Sequence, residues 1–394
     1  MNAGETSEAE RFVIEATRAL ASCGTPAHRL EEAMGTVAAG LGLEAEFFAM
    51  PTSVFVAVTR ADGTSATTLL RTQPSDVNAE RLVRLDDVLE RVHTGSMTPA
   101  AGRAAVRDAV ALADRYGPTA TAVSIALSSA CVASFFGGGL KEVWAALAVG
   151  FVVGGLAIVS ASRRELGRLI DFASGLVAVL GASVLSWAAG GLSVEVVTLA
   201  GVIILLPGLS LTIAINELAT RHLASGGARL VGAIAVLVSI GFGVAFGGRV
   251  AGLLEIGVSV PPMALPEWAQ YVALAVAPVS LGVLFRVPPR FLVVVTVIGA
   301  SAFLGARFGA AILGPELGVS VGALVLGCLS NLYCRLRNRP VALVLMPGII
   351  LLVPGSIGFR SISSFVAADA VGGVEAGFSA LLVAVSLVAG LLVA

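Results

Sequence analysis

From residue 117 onward the chain is a succession of apolar segments, each about long enough to cross the hydrocarbon of a bilayer. They fall near 119–138, 143–162, 171–189, 195–215, 229–248, 269–285, 291–306, 318–334, 341–359 and 376–394. Adding 147 to the bounds of the first five lands within a few residues of the second five. The fourth segment of each set carries the same interruption: 203–212 reads IILLPGLSLT and 349–359 reads IILLVPGSIGF. In hydrocarbon no water can meet the backbone groups that a proline frees, so such a break is tolerated only inside protein or beside a water-filled cavity. The pattern predicts a membrane α-helical protein of ten transmembrane helices built as two five-helix repeats, over 117–249 and 262–394. Five is odd, so the second copy starts on the opposite side of the membrane, which makes the repeats inverted. RVAGLLEIGVSVPPMALPEW, with Pro261, Pro262 and Pro266, reads as the linker between them.

Residues 1–116 differ in character, with charges every few positions. Helical periodicity runs over 9–21, 27–41, 78–92 and 99–115, the second helix opened by Thr25 as N-cap with Pro26 at the first helical position. FFAMPTSVFVAVTR and ATTLLRT read as strands joined at Asp62-Gly63. The expectation is a small cytoplasmic α+β domain, since the polar start MNAGETSEAERF has no signal-peptide core. With the N-terminus inside, the inner loops carry ten arginines (163, 164, 168, 221, 229, 286, 290, 335, 337 and 339), and the outer loops carry Lys141, Arg249, Arg307 and Arg360. That bias follows the positive-inside rule, and it puts Trp144, Trp187 and Trp268 at the outer interface of a cytoplasmic (inner) membrane.

Composition removes other classes. A hydrophobic share of 57% against 13% charged exceeds what a soluble core needs, and a net charge of −1 gives nucleic acid no basic face. Lys141 is the sole lysine, so no Walker A loop and no buried Schiff-base lysine can be assembled, and no cofactor is expected. His28, His93 and His222 are far apart without ligand spacing, and the four cysteines form no C-x-x-C pair, so no metal site is expected either. In GTPAHRLEEAM, His28, Arg29, Glu31 and Glu32 read as the wet face of a helix; without a nucleophile motif the chain does not read as an enzyme.

The candidate site is the pair of breaks. Pro207, Gly208, Pro354 and Gly355 would free amides and carbonyls near the midplane, with the hydroxyls of Ser210, Thr212 and Ser356 beside them. Such a set suits a small zwitterion. Met346-Pro347-Gly348 reads as a second interruption of the later helix. Glu217 is either a proton carrier or the partner of Arg221 at i, i+4. Asp171, beside Arg168, is either a second proton-coupling group or a snorkelling interfacial charge, and Arg360 either meets a substrate carboxylate or sits at the outer interface. Gly150/Gly154 and Gly318/Gly322 read as close helix packing.

Taken together, SCGTPAHRLEEAMGTVAAGLGL, MPTSVFVAVTR, LLPGLSLTIAINELATRHLASGGARL and LMPGIILLVPGSIGFRSISSF give a chain that resembles the bacterial threonine/serine exporters over nearly all its length. The resemblance implies export of L-threonine and L-serine driven by the proton motive force, without ATP, with protons and the lipid bilayer as further partners and a homo-oligomer left open. It also leaves open a small organic acid, such as a dicarboxylate, as cargo. Ile213 stands where the family often has a polar residue, and Glu217 where it often has aspartate. A membrane-anchored scaffold or sensor is the reading from another class, and a passive channel a third.

Overall fold

The computed structural model describes residues 7–60, 63–72, 77–337, 339–352, 355–366 and 369–394. Ser7 accepts the Glu10 amide at 3.1 Å and opens α1 (Glu8–Ser22). α2 (Ala27–Gly40) follows, but Thr25 is not its cap. The flanking residue is Pro26, which has no side-chain acceptor, and the Thr25 hydroxyl is buried without a partner among the described residues. Three antiparallel strands come next: β1 (Glu44–Met50), β2 (Ser53–Thr59) and β3 (Ser65–Arg71), in that spatial order. The stretch FFAMPTSVFVAVTR is two strands, because Pro51 and Thr52 turn between Met50 and its partner Ser53. Of the turn expected at Asp62-Gly63, Asp62 lies outside the described residues, and Gly63 has φ +80°. α3 (Ala79–His93) and α4 (Pro99–Ala111) complete the domain, capped by Asn78 and Thr98.

The apolar region forms α5 (Pro118–Phe135), α6 (Leu140–Ser162), the single turn α7 (Arg164–Gly167), α8 (Ile170–Ala188), α9 (Val194–Val202), α10 (Gly208–Ala219) and α11 (Leu223–Leu253). After the linker come α12 (Glu267–Leu284), α13 (Pro289–Leu313), α14 (Pro315–Arg337), α15 (Ala342–Leu352), α16 (Gly355–Val366) and α17 (Ala370–Val393). Among the described residues nine spans are long and apolar enough to cross a membrane, and α10 is a shorter apolar helix. Phe151, Phe242, Val293, Phe308, Leu332 and Phe378 stand exposed on these helices, as a lipid-facing surface requires. Pro347 does not break its helix: α15 runs through it, and Pro347 and Gly348 are buried, with Gly348 against Leu326.

Helices about 147 residues apart in the chain pack on matching neighbours. α8 lies on α11 as α14 lies on α17, α9 on α6 as α15 on α13, and α10 on α11 as α16 on α17. Across the halves α5 meets α12, α10 meets α17, and α16 meets α11. Glycines let these pairs approach. A Cβ on Gly243 would collide with the Phe172 carbonyl oxygen of α8, and one on Gly322 would sit 2.6 Å from the Ala302 carbonyl oxygen of α13. Gly150 and Gly154 similarly seat α6 on Ser129 and Ile125 of α5.

The N-terminal domain is not free-standing. Its core runs without interruption into Phe285, Val287, Phe291, Val344 and Met346 of the second half. The Ala79 amide donates to the Phe285 carbonyl at 2.9 Å, the Tyr116 hydroxyl to the Val287 carbonyl at 2.7 Å, and Arg286 pairs with Asp114 at 3.1 Å.

Gly243→Val puts a side chain against backbone that cannot retreat, and overpacking of this kind costs about 1–3 kcal/mol. The purified variant should unfold at lower temperature than wild type. Gly232→Ala, whose added Cβ meets nothing within 4 Å, should leave the melting curve in place.

Candidate functional site

Val202 ends α9, and the next residues turn before α10 begins at Gly208. Pro207 has φ −78° and ψ 40°, and the Gly208 amide donates across it to the Leu206 carbonyl at 2.8 Å. The amides of Leu209 and Ser210, in the first turn of α10, have no backbone acceptor among the described residues. The second break meets the first. A Cβ on Gly355 would lie 3.3 Å from the Gly208 Cα and 3.5 Å from its nitrogen, so the two segments approach backbone to backbone. Leu206, Phe359, Leu237 and Ile240 close in as one apolar cluster around this contact. Pro354 lies outside the described residues.

The hydroxyls are not equivalent. Ser210 and Ser356 are half-buried and make no hydrogen bond among the described residues. Thr212 is buried, and its hydroxyl donates to the Gly208 carbonyl at 3.1 Å, one turn back along its own helix. Ile213 is also buried. Asp171 is half-buried in the first turn of α8 and forms no ion pair among the described residues. Arg360 is exposed and faces Glu195 of α9 at 3.9 Å, also exposed.

Glu217 is fully buried, about 14 Å along α10 from Gly208 at 1.5 Å per residue. Its partner is not Arg221. α10 stops at Ala219, and Arg221 takes φ +67°, the left-handed position that usually ends a helix with glycine. The i, i+4 geometry is therefore lost, and the reversed chain brings α11 back instead. Arg229 donates to the Glu217 carboxylate at 3.2 and 3.3 Å, and the Ser225 hydroxyl at 2.8 Å. The remaining contact comes from the N-terminal domain: the Ala27 amide, first of α2, donates to Glu217 Oε1 at 3.0 Å. A membrane-helix carboxylate thus supplies the N-terminal acceptor that Pro26 lacks.

Around it His28 Nε2 meets Asn216 Nδ2 at 3.3 Å, and His222 Nε2 meets Glu31 Oε2 at 3.2 Å. The other Glu31 oxygen accepts the Ala49 amide at 2.8 Å, and the two imidazoles lie 6.1 Å apart. The face carrying His28 and Glu31 is therefore a docking face and not a wet one. Burial, with Arg29 next to it, holds His28 below the usual histidine range; Glu217 and Glu32 oppose this, and His222 adds to it.

Sequence reasoning passed over Arg229, Ser225, Asn216 and His222 as site members, and also Glu142. This last carboxylate is buried and accepts the Gly139 amide at 2.9 Å and the Ser193 amide at 3.0 Å, joining the N-termini of α6 and α9. Its place three residues after Gly139 is a readable capping signal; the contacts of Glu217 across nearly two hundred residues have no such signal.

Residues 11–251 match the family model described as "Putative threonine/serine exporter", and residues 270–394 match one described as "Threonine/Serine exporter, ThrE". Pheromone-regulated membrane protein 10 of Saccharomyces cerevisiae is 24% identical over 363 residues, covering 89% of this chain and 47% of that protein. The protein of that name in Candida albicans is 24% identical over 364 residues, covering 89% and 33%. An uncharacterised protein of Schizosaccharomyces pombe is 21% identical over 384 residues, covering 93% and 44%. The chain spans less than half the length of these relatives, and no solved structure matches it.

Removing Glu217 strands a half-buried guanidinium and a helix-start amide together. Breaking a buried ion pair costs about 3–5 kcal/mol, so Glu217→Ala should lower the melting temperature and expose α1 and α2 to protease before the membrane helices unfold. Unchanged proteolysis would show that Glu217 does not hold the domain. The docked domain favours neutral His28, so docking is complete above the ordinary value of 6.5. It weakens as pH falls from there toward the lowered docked-state value, below which the dependence flattens. Amide exchange across α2, corrected for intrinsic rates, should report that loss, and His28→Gln should remove its pH slope.

Proposed function

The chain belongs to the threonine/serine exporter family, and on that premise we propose that it is a secondary active exporter of L-threonine and L-serine driven by the proton motive force. Ten spans, counting α9 with α10 and α15 with α16, form two inverted repeats in the cytoplasmic membrane with the N-terminal domain inside. The matched packing of these helices supports the repeat, the exposed Trp144, Trp187 and Trp268 near helix ends fit a membrane interface, and the arginine bias of the loops supports the orientation. The observation that carries the reading is the contact of Gly208 with Gly355. Two half-helix starts meet inside the bundle, where free amides and the Ser210 and Ser356 hydroxyls can receive a small polar molecule once the backbones separate. In the state described the breaks touch and leave no room between them. Transport then consists of opening this contact toward one side at a time. Glu217 is the carboxylate on the moving segment and the proposed proton carrier, with Asp171 a second candidate.

Cells loaded with a threonine-containing dipeptide should lose threonine faster when they hold this protein, and an uncoupler should abolish the difference. Efflux that survives the uncoupler would remove proton coupling. Efflux of a dicarboxylate in place of threonine would reassign the cargo. Ser210→Ala should slow threonine efflux several-fold, with surface expression unchanged.

A further inference from the structure

α2, α3 and the start of α15 enclose a cleft of about 510 Å³ at the end of the bundle that carries the N-terminal domain. Six ionisable side chains line it: Arg29 and Glu32 from α2, Asp86, Glu90 and His93 from α3, and Arg339 just before α15. None of the six makes an ion pair or a side-chain hydrogen bond among the described residues. Elsewhere in the same domain neighbouring opposite charges pair directly, as Arg60 does with Glu10 and Arg103 with Glu15. The Thr25 hydroxyl, also on the cleft wall, is buried with no partner among the described residues, while Leu20, Leu89 and Met346 give the cleft an apolar side.

We propose that this cleft is a binding site for a free α-amino acid, the place where cargo is collected before it reaches the breaks. The inference rests on the export reading for the identity of the cargo. Opposite charges that stand close together without pairing are what a zwitterion needs, because its carboxylate and ammonium are one carbon apart and both must be met at once. Arg29 and Arg339 receive the carboxylate. Asp86 and Glu90 receive the ammonium, and the Thr25 hydroxyl receives a side-chain hydroxyl. Asp86 itself is exposed at the mouth of the cleft; partial desolvation there, then Glu90 and Asp87, push its carboxyl above the usual carboxylate range, with Arg339 opposing them, so this corner gains from a bound cation. Three acids against two arginines also disfavour a dianion, which separates an amino acid from a dicarboxylate. The cleft is linked to the breaks by α15 itself. Val341, Ala342 and Met346 line it, and the far end of that helix, about 16 Å away at 1.5 Å per residue, is three residues from Gly355.

The test uses the full-length protein in nanodiscs and in proteoliposomes. Radiolabelled L-threonine should bind the wild type in nanodiscs, while threonine amide and N-acetylthreonine, each lacking one of the two charges, should compete at least tenfold more weakly. Asp86→Asn and Arg339→Gln should each raise the KM for threonine on the side of the N-terminal domain five- to tenfold, with the maximal rate within twofold of wild type. Should either variant fold poorly, Ala33→Phe fills the cleft without removing a charge and should give the same shift. Transport with an unaltered KM in these variants overturns the site and leaves the export reading standing. Zwitterion binding that weakens in the variants, in vesicles that move no amino acid, keeps the site and removes the export reading.

Discussion

The hydrocarbon of a bilayer offers a freed backbone amide or carbonyl nothing to bond to, and the rest of this structure is arranged around that fact. The proline at 207 strips a helix of its ladder inside an apolar segment, and its consequence is visible at once: α9 and α10 are each too short to cross a membrane alone. Such halves survive only with protein on every side. Full-length helices supply that enclosure, with α6 and α8 around α9 and α11 and α17 around α10. The remaining side is filled by the other break. A Cβ at 355 would press on the Gly208 backbone at 3.3 Å, so the absence of a side chain there is what lets the two breaks come this close.

The same economy of polar groups governs the other end of α10. A buried carboxylate is tolerated when its lone pairs are met, and Glu217 meets a guanidinium, a hydroxyl and a helix-start amide together. None of those partners lies on its own helix. The amide belongs to the N-terminal domain, whose second helix begins after a proline and therefore has no local side-chain acceptor. Each side supplies what the other lacks, which is why a chain segment that looks separable by composition shares a core and a polar junction with the membrane region.

Much of this was legible from the residues. The apolar membrane helices follow from run lengths and the first break from Pro207, because each depends on local composition. The helices of the N-terminal domain fall within a residue or two of their periodicity, except that α4 stops at Ala111, four residues early. What could not be read is what depends on distant partners. Thr25 looked like a cap because Ser, Thr and Asp usually are, yet its helix is capped by Glu217. Arg221 looked like the partner of Glu217 because four residues usually separate such a pair, yet the helix ends in between. Pro347 looked like a second break because proline removes a donor, yet packing against α13 and α14 holds α15 straight through it. His28 and Glu31 looked solvated because the membrane region that covers them is invisible to a local pattern.

Two contacts fix the position of α10, and they sit at opposite ends of it. At the start, Gly208 lies against Gly355; near the finish, Glu217 is bound to Arg229 and to α2. A rigid helix of twelve residues cannot tilt about one end without displacing the other by ångströms, and hydrogen bonds of about 3 Å do not stretch that far. Separation of the breaks is therefore mechanically linked to the junction with the N-terminal domain: either α2 travels with α10, or the Glu217 contacts open. The second half holds the domain independently, through Phe285, Val287 and Asp114–Arg286. The domain is thus anchored to both halves at once, and any motion of one half against the other must pass through it.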